Sequence, residues 1–121
     1  MRLPSLSAEL HDAIVEQFSF ELPRGRLTIH LLLDVAEGFS VRRKQLLLSG
    51  VRNKKEVEEL QRQIERAKRK GNRATINYRL DELSYCRPLA SGKADLVIRL
   101  AIDHLPELLI YCDKITLQAL G

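Results

Sequence analysis

The chain has 121 residues, 45% hydrophobic, 30% charged and 5% aromatic, with a formal net charge of +4. That length fits one domain over 1–121 and leaves no room for two ordinary ones, and it supports a core without disulfide or metal staples. With no Trp, three Tyr and three Phe, the core has to come from Leu, Ile, Val and Ala, which suits a helical bundle. The apolar run near 27–33 is interrupted by His30 and is too short to cross a bilayer. The N-terminal Met-Arg-Leu-Pro-Ser lacks the apolar stretch of a signal peptide. Cys86 and Cys112 fall outside any CxxC spacing, which favours a reduced, cytoplasmic setting with both as small core residues.

Taken in chain order, the pattern predicts an all-α fold of five or six helices, with a short β-hairpin at 18–33 as the alternative. A first helix runs from a Ser5 or Ser7 cap to about Gln17, with Leu10, Ile14 and Val15 on one side. Residues 26–37 admit two readings. Phe18, Phe20 and Leu22, then Leu27, Ile29, Leu31 and Leu33, alternate around Pro23 and Gly25 as a hairpin would. Leu27, Leu31 and Val35 also form a helical stripe ending at Gly38, and the helix is preferred. A short helix over 40–48 ends near Ser49-Gly50.

The clearest boundary follows. Asn53 and Glu56 have capping-box spacing, and good helix formers continue to Gly71-Asn72, with Lys68, Arg69 and Lys70 in the last turn, where the helix dipole favours cations. A helix over 54–70 places Val57, Leu60, Ile64 and Ala67 in an apolar seam. Lys55, Arg62, Arg66 and Arg69, with Arg73 if the helix continues, gather opposite. Further helices are expected at about 74–86, from Ser91-Gly92 to a break before Pro106, and at about 106–119. In the last, Leu105, Leu108, Leu109, Cys112 and Ile115 face inward.

Charge is unevenly spread. Residues 42–73 carry twelve Lys/Arg against four Glu, a basic block that anionic partners can exploit. Clustered cations gain affinity for phosphates by releasing condensed counterions. The expected contacts are Arg42, Arg43, Lys44, Lys55, Arg62, Arg66, Lys68, Arg69, Lys70 and Arg73, giving a non-catalytic protein that binds DNA or RNA. The competing explanation is an ordinary solvated or dimer-flanking face, because Glu58–Arg62 and Glu65–Arg69 are favourable i,i+4 pairs.

Residues 79–100 read RLDELSYCRPLASGKADLVIRL. With Leu80 and Leu83 on one helix, a Pro-containing turn and a second helix from Gly92 to Leu100, the segment resembles the helix–loop–helix of the SAP motif, a family associated with DNA binding. The resemblance implies that Gly92 makes the turn, that Leu96 and Leu100 pack the helices, and that Lys93 and Arg99 approach the phosphate backbone. The stretch from Gly92 to Leu96 is shorter than that family's, and the match covers under a fifth of the chain. The stretch from Gly92 through Leu109 is also similar to small helical effector-associated domains of bacterial conflict systems, which act as interaction adaptors. An adaptor would dock a protein partner, or itself, through the apolar surfaces of 93–120, where Leu105, Leu108, Leu109, Ile110, Ile115, Leu117 and Leu120 lie close together and exceed what one face of a monomer buries.

Catalysis and metal binding find no support. His11, His30 and His104 are scattered, and no GxSxG, Walker or GxGxxG motif is present. Asp81-Glu82 diverge on a helix, and Asp103-His104 belongs to the break at Pro106. No cofactor or metal is expected. Tyr78 could stack on a base if exposed, but a half-buried ring with a wet hydroxyl is the commoner state.

Overall fold

The computed structural model describes residues 10, 12–34, 41–71, 78–86 and 96–120. It overturns the all-α expectation. The described residues are 58% strand and form an α+β fold with two antiparallel sheets. The strands are β1 (Ile14–Glu21), β2 (Arg26–Asp34), β3 (Val41–Ser49), β4 (Leu80–Cys86), β5 (Leu96–Ile102), β6 (Leu108–Cys112) and β7 (Lys114–Leu120). The helix α1 (Lys54–Lys70) lies between β3 and β4 in the chain. One sheet has the order β1-β2-β3-β7 and the other β4-β5-β6. No helix among the described residues is long and apolar enough to cross a membrane.

The hairpin at 18–33 is the reading the structure adopts, extended to 14–34. Phe18 pairs with Ile29 and Phe20 with Leu27 across a turn at 22–25. Of the helix expected over 40–48, residues 41–48 instead belong to β3, whose Leu46 and Leu48 face inward opposite Ile29 and Leu27. Among the described residues, the helices expected at about 74–86 and from Ser91-Gly92 to Pro106 give way to β4 and β5, and the one at about 106–119 to β6 and β7, while 74–77 and 91–95 lie outside the described residues.

Two β-bulges explain part of the misreading. In β1 the register shifts between Val15 and Gln17, so Val15 and Phe18 both point inward. In β4 it shifts between Leu80 and Glu82, so Leu80 and Leu83 both point inward. A bulge inserts one residue into a period of two, and the resulting spacing of three looks helical. Elsewhere Leu on both faces hides the alternation, as at Leu46-Leu47-Leu48 and Leu108-Leu109-Ile110.

Both sheets and the helix share one apolar core, which includes Leu27, Ile29, Leu46, Ile98, Leu100 and Ile110. The sheets also meet through the backbone. Ile14 bridges to Arg79, Val15 N–H donates to the Tyr78 carbonyl at 2.8 Å, and Leu80 N–H donates to the Ala13 carbonyl at 2.7 Å. At the other side, Asp113 joins β6 to β7, and its N–H donates to the Ser49 carbonyl at 3.0 Å.

Helix α1 packs on β1 of one sheet and β6 of the other. Its seam of Val57, Leu60 and Ile64 is buried, as the sequence pattern implies. Polar side chains near its start cap the strand edges it covers. Gln61 Oε1 accepts the Phe20 N–H at 2.6 Å. Asn53 mimics a peptide group along β6: Nδ2 donates to the Leu109 carbonyl at 2.6 Å, and Oδ1 accepts the Tyr111 N–H at 2.9 Å. The capping-box expectation is thus corrected. Asn53 makes no side-chain cap, and Nδ2 instead also donates to Glu56 Oε2 at 2.6 Å. Unpaired strand edges are sticky, and amide side chains here satisfy them.

Two stability outcomes follow from this packing. Ile64→Ala, which opens a cavity under the helix, is expected to cost about 2–5 kcal/mol in denaturant titrations. Asn53→Ala leaves the β6 groups without their partner and should cost about 1–3 kcal/mol. An Asn53→Ala chain as stable as the wild type would show that the β6 edge does not depend on this amide.

Candidate nucleic-acid interface

The twelve cations singled out in the sequence fall into distinct groups. Arg43, on β3, is held by Glu16 at 2.9 Å. Lys44 is half-buried and already engaged, while Arg42 is exposed. Because β3 lies between β2 and β7 whereas α1 packs on β1 and β6, these residues and the helix cations belong to different parts of the fold. Arg99 projects from β5 between Glu82 at 3.8 Å and Glu107 at 3.5 Å, so its charge is neutralised on the sheet surface. Arg73 and Lys93 lie outside the described residues.

The SAP-like segment does not supply the expected helix pair. Its described parts are β4 and β5, in which Leu83 pairs with Leu100 across a sheet and Leu96 faces the core. Tyr78 is half-buried and rests on the His104 ring at 5.0 Å between centroids, so its ring already has a partner. Asp103-His104 lies in the turn between β5 and β6, with His104 at φ 69°. That replaces the helix break expected at Pro106.

On α1 the charges divide along the axis. Over 54–62, Lys54, Lys55 and Arg62 are balanced by Glu56, Glu58 and Glu59. Arg62 is clamped by Glu58 at 3.4 Å and Glu59 at 3.2 Å. Over 63–70, Arg66, Lys68, Arg69 and Lys70 face only Glu65, which pairs with Lys68 at 3.1 Å. Arg66, Arg69 and Lys70 are exposed, with no ion pair among the described residues. The expected i,i+4 pair Glu65–Arg69 is replaced by Glu65–Lys68. Lys55 is exposed as well, but it stands in the balanced half. The uncompensated positive charge is therefore concentrated in the last two turns, on a helix held from the opposite side by Val57, Leu60 and Ile64.

No protein-family model, curated protein or solved structure matches this chain. The geometry alone carries the functional reading.

The apolar residues over 105–120 that suggested a docking face are mostly consumed by folding. Leu108, Ile110, Cys112 and Ile115 are buried, while Leu109, Tyr111 and Leu120 remain exposed on the outside of their strands. Among the described residues no group of three or more His, Cys, Asp or Glu could hold a metal ion. Cys112 is fully buried and its thiol is pushed up to about 11, chiefly by desolvation, then by the charge of Asp113. A thiol of this kind is a poor nucleophile.

Two outcomes follow for Cys112. It should resist thiol reagents near pH 8 until the chain unfolds. Its raised folded pKa also means that the unfolded state releases its proton first, so this group adds no penalty below about 9 and lowers stability as pH rises from 9 to about 11. Prompt labelling of the native protein near pH 8 would contradict this burial. The side chain of Cys86 lies outside the described residues.

Proposed function

We propose that this protein is a non-catalytic binding module that engages nucleic acid through phosphate contacts from the C-terminal turns of α1. The observation that carries the reading is the exposed, unpaired set Arg66, Arg69 and Lys70 on a helix whose other side is locked into the core. Rigid presentation matters, because long cationic side chains on an ordered scaffold lose less freedom when they dock. Lys68, which shares its charge with Glu65, and Arg62, which shares its charge with two glutamates, add weaker contributions. Base-specific readout has no support from side chains on this face, so the binding is general in sequence.

Titration of labelled duplex and single-stranded DNA and RNA at increasing salt tests the proposal. Three phosphate contacts give a slope of about −2.7 in log affinity against log salt on duplex DNA, which corresponds to roughly 40-fold weaker binding between 50 and 200 mM. Absence of binding at the low-salt end overturns the proposal.

A further inference from the structure

The charge division along α1 has a second consequence. Residues 56, 59, 63, 66 and 70 recur at spacings of three and four, so they share one stripe along the helix. The stripe reads Glu56, Glu59, Gln63, Arg66, Lys70: acidic at one end, neutral at the middle, basic at the other. Turned end for end about Gln63, it is complementary to itself. Beside its acidic end lies a recess of about 190 Å³ between α1 and the segment entering β6. Leu60, Pro106 and Leu108 supply its apolar lining, and Glu56, Glu59 and Glu107 supply carboxylates.

We infer that this recess and stripe are a self-association surface, in which the basic end of α1 from a second copy docks against the acidic end of the first. The arrangement is isologous, so each contact is made twice. Glu56 meets the second copy's position 70, Glu59 meets its position 66, and the two glutamines at 63 face each other. An apolar recess with a carboxylate rim suits Lys and Arg, whose aliphatic stems cover apolar surface while the charged head reaches the rim. The carboxylates are not fully used within the chain. Glu59 accepts from Arg62 and Glu107 from Arg99, at 3.2 and 3.5 Å, and Glu56 accepts from Asn53. Each carboxylate has capacity for further donors. Arg66 and Lys70 have no ion pair among the described residues. The apolar seam of α1 plays no part, being buried in the chain's own core.

This inference does not rest on the nucleic-acid reading. The two share Arg66 and Lys70, so where both hold, nucleic acid competes with self-association. Exposed ion pairs are individually weak and salt-sensitive, and the dimer is accordingly reversible.

Sedimentation of the full chain without nucleic acid, at low and high salt, tests it. The wild type is expected to dimerise reversibly and to dissociate as salt rises. Chains carrying Glu56→Lys with Glu59→Lys, or Arg66→Glu with Lys70→Glu, should each lose about tenfold or more in dimerisation constant. Mixing the two variants should restore association as a one-to-one heterodimer. If either double variant loses the circular dichroism of the fold, Glu56→Lys mixed with Lys70→Glu makes the same comparison. A wild type that stays monomeric at low salt, or folded variants that do not recover on mixing, overturns the inference. Neither outcome bears on nucleic-acid affinity, which the salt titration reads separately.

Discussion

Joint replacement Arg66→Glu, Arg69→Glu and Lys70→Glu is expected to weaken binding to generic nucleic acid by about 100-fold or more at low salt. These are the exposed cations of the last two turns of α1 that no carboxylate neutralises among the described residues. Their reversal changes attraction to phosphate into repulsion on that face. Glutamates at a helix C-terminus oppose the helix dipole at about 0.3–1 kcal/mol each, so a small loss of stability accompanies the change. The matching glutamine substitutions separate the two effects: they remove the charge without adding repulsion, and they should still flatten the salt dependence. By contrast, Arg99→Gln should leave affinity nearly unchanged, because Glu82 and Glu107 already hold that guanidinium. Unaltered binding by the triple variant would move the contact surface off the helix.

A large loss of stability is expected from adding a single methyl group at Gly50. Its φ is 69°, in the left-handed region that side chains with a Cβ disfavour, at roughly 1–2 kcal/mol. An alanine Cβ there would also collide with the Asp113 side chain, lying 2.6 Å from its Cγ and 2.8 Å from its Cβ. Asp113 cannot yield freely. Its N–H donates to the Ser49 carbonyl, and its carboxylate takes a forked pair from Arg52 at 2.8 and 3.0 Å. Strain and overpacking together suggest about 2–4 kcal/mol for Gly50→Ala, or roughly 10 °C in melting temperature. Combining Gly50→Ala with Asp113→Gly, which removes the Asp113 Cβ along with its carboxylate, should recover the steric part and leave the backbone part. Strict additivity of the two substitutions would show that the collision is not what destabilises the chain.

Legibility in the sequence followed from how local each signal was. Helix α1 could be read to its ends, because glutamates, cations and the apolar seam all act within a few residues of one another. The hairpin at 18–33 was visible too, since Phe18 and Phe20 alternate in step with Leu27 and Ile29, yet Leu is also a strong helix former and the stripe through Leu31 pulled the reading the other way. The bulges near Glu16 and Asp81 carry no marker in composition, and the one near Asp81 turned Leu80–Leu83 into an apparent helical turn. Nor could Asn53 announce that it caps β6, because its partners Leu109 and Tyr111 lie more than fifty residues away. For the candidate site, the cations of α1 were legible as a group. The neutralisation of Arg43 by Glu16 and of Arg99 by Glu82 and Glu107 depended on strand register, which no local pattern revealed.

Amide chemical shifts of the labelled protein, followed while a short duplex DNA is added at low salt, locate the contact directly. The account predicts that the largest changes fall on residues 62–70, with little effect on β3 or on the outer side of β5. Changes centred on Arg42–Lys44 or on Leu109–Tyr111, or no changes at all, would contradict it.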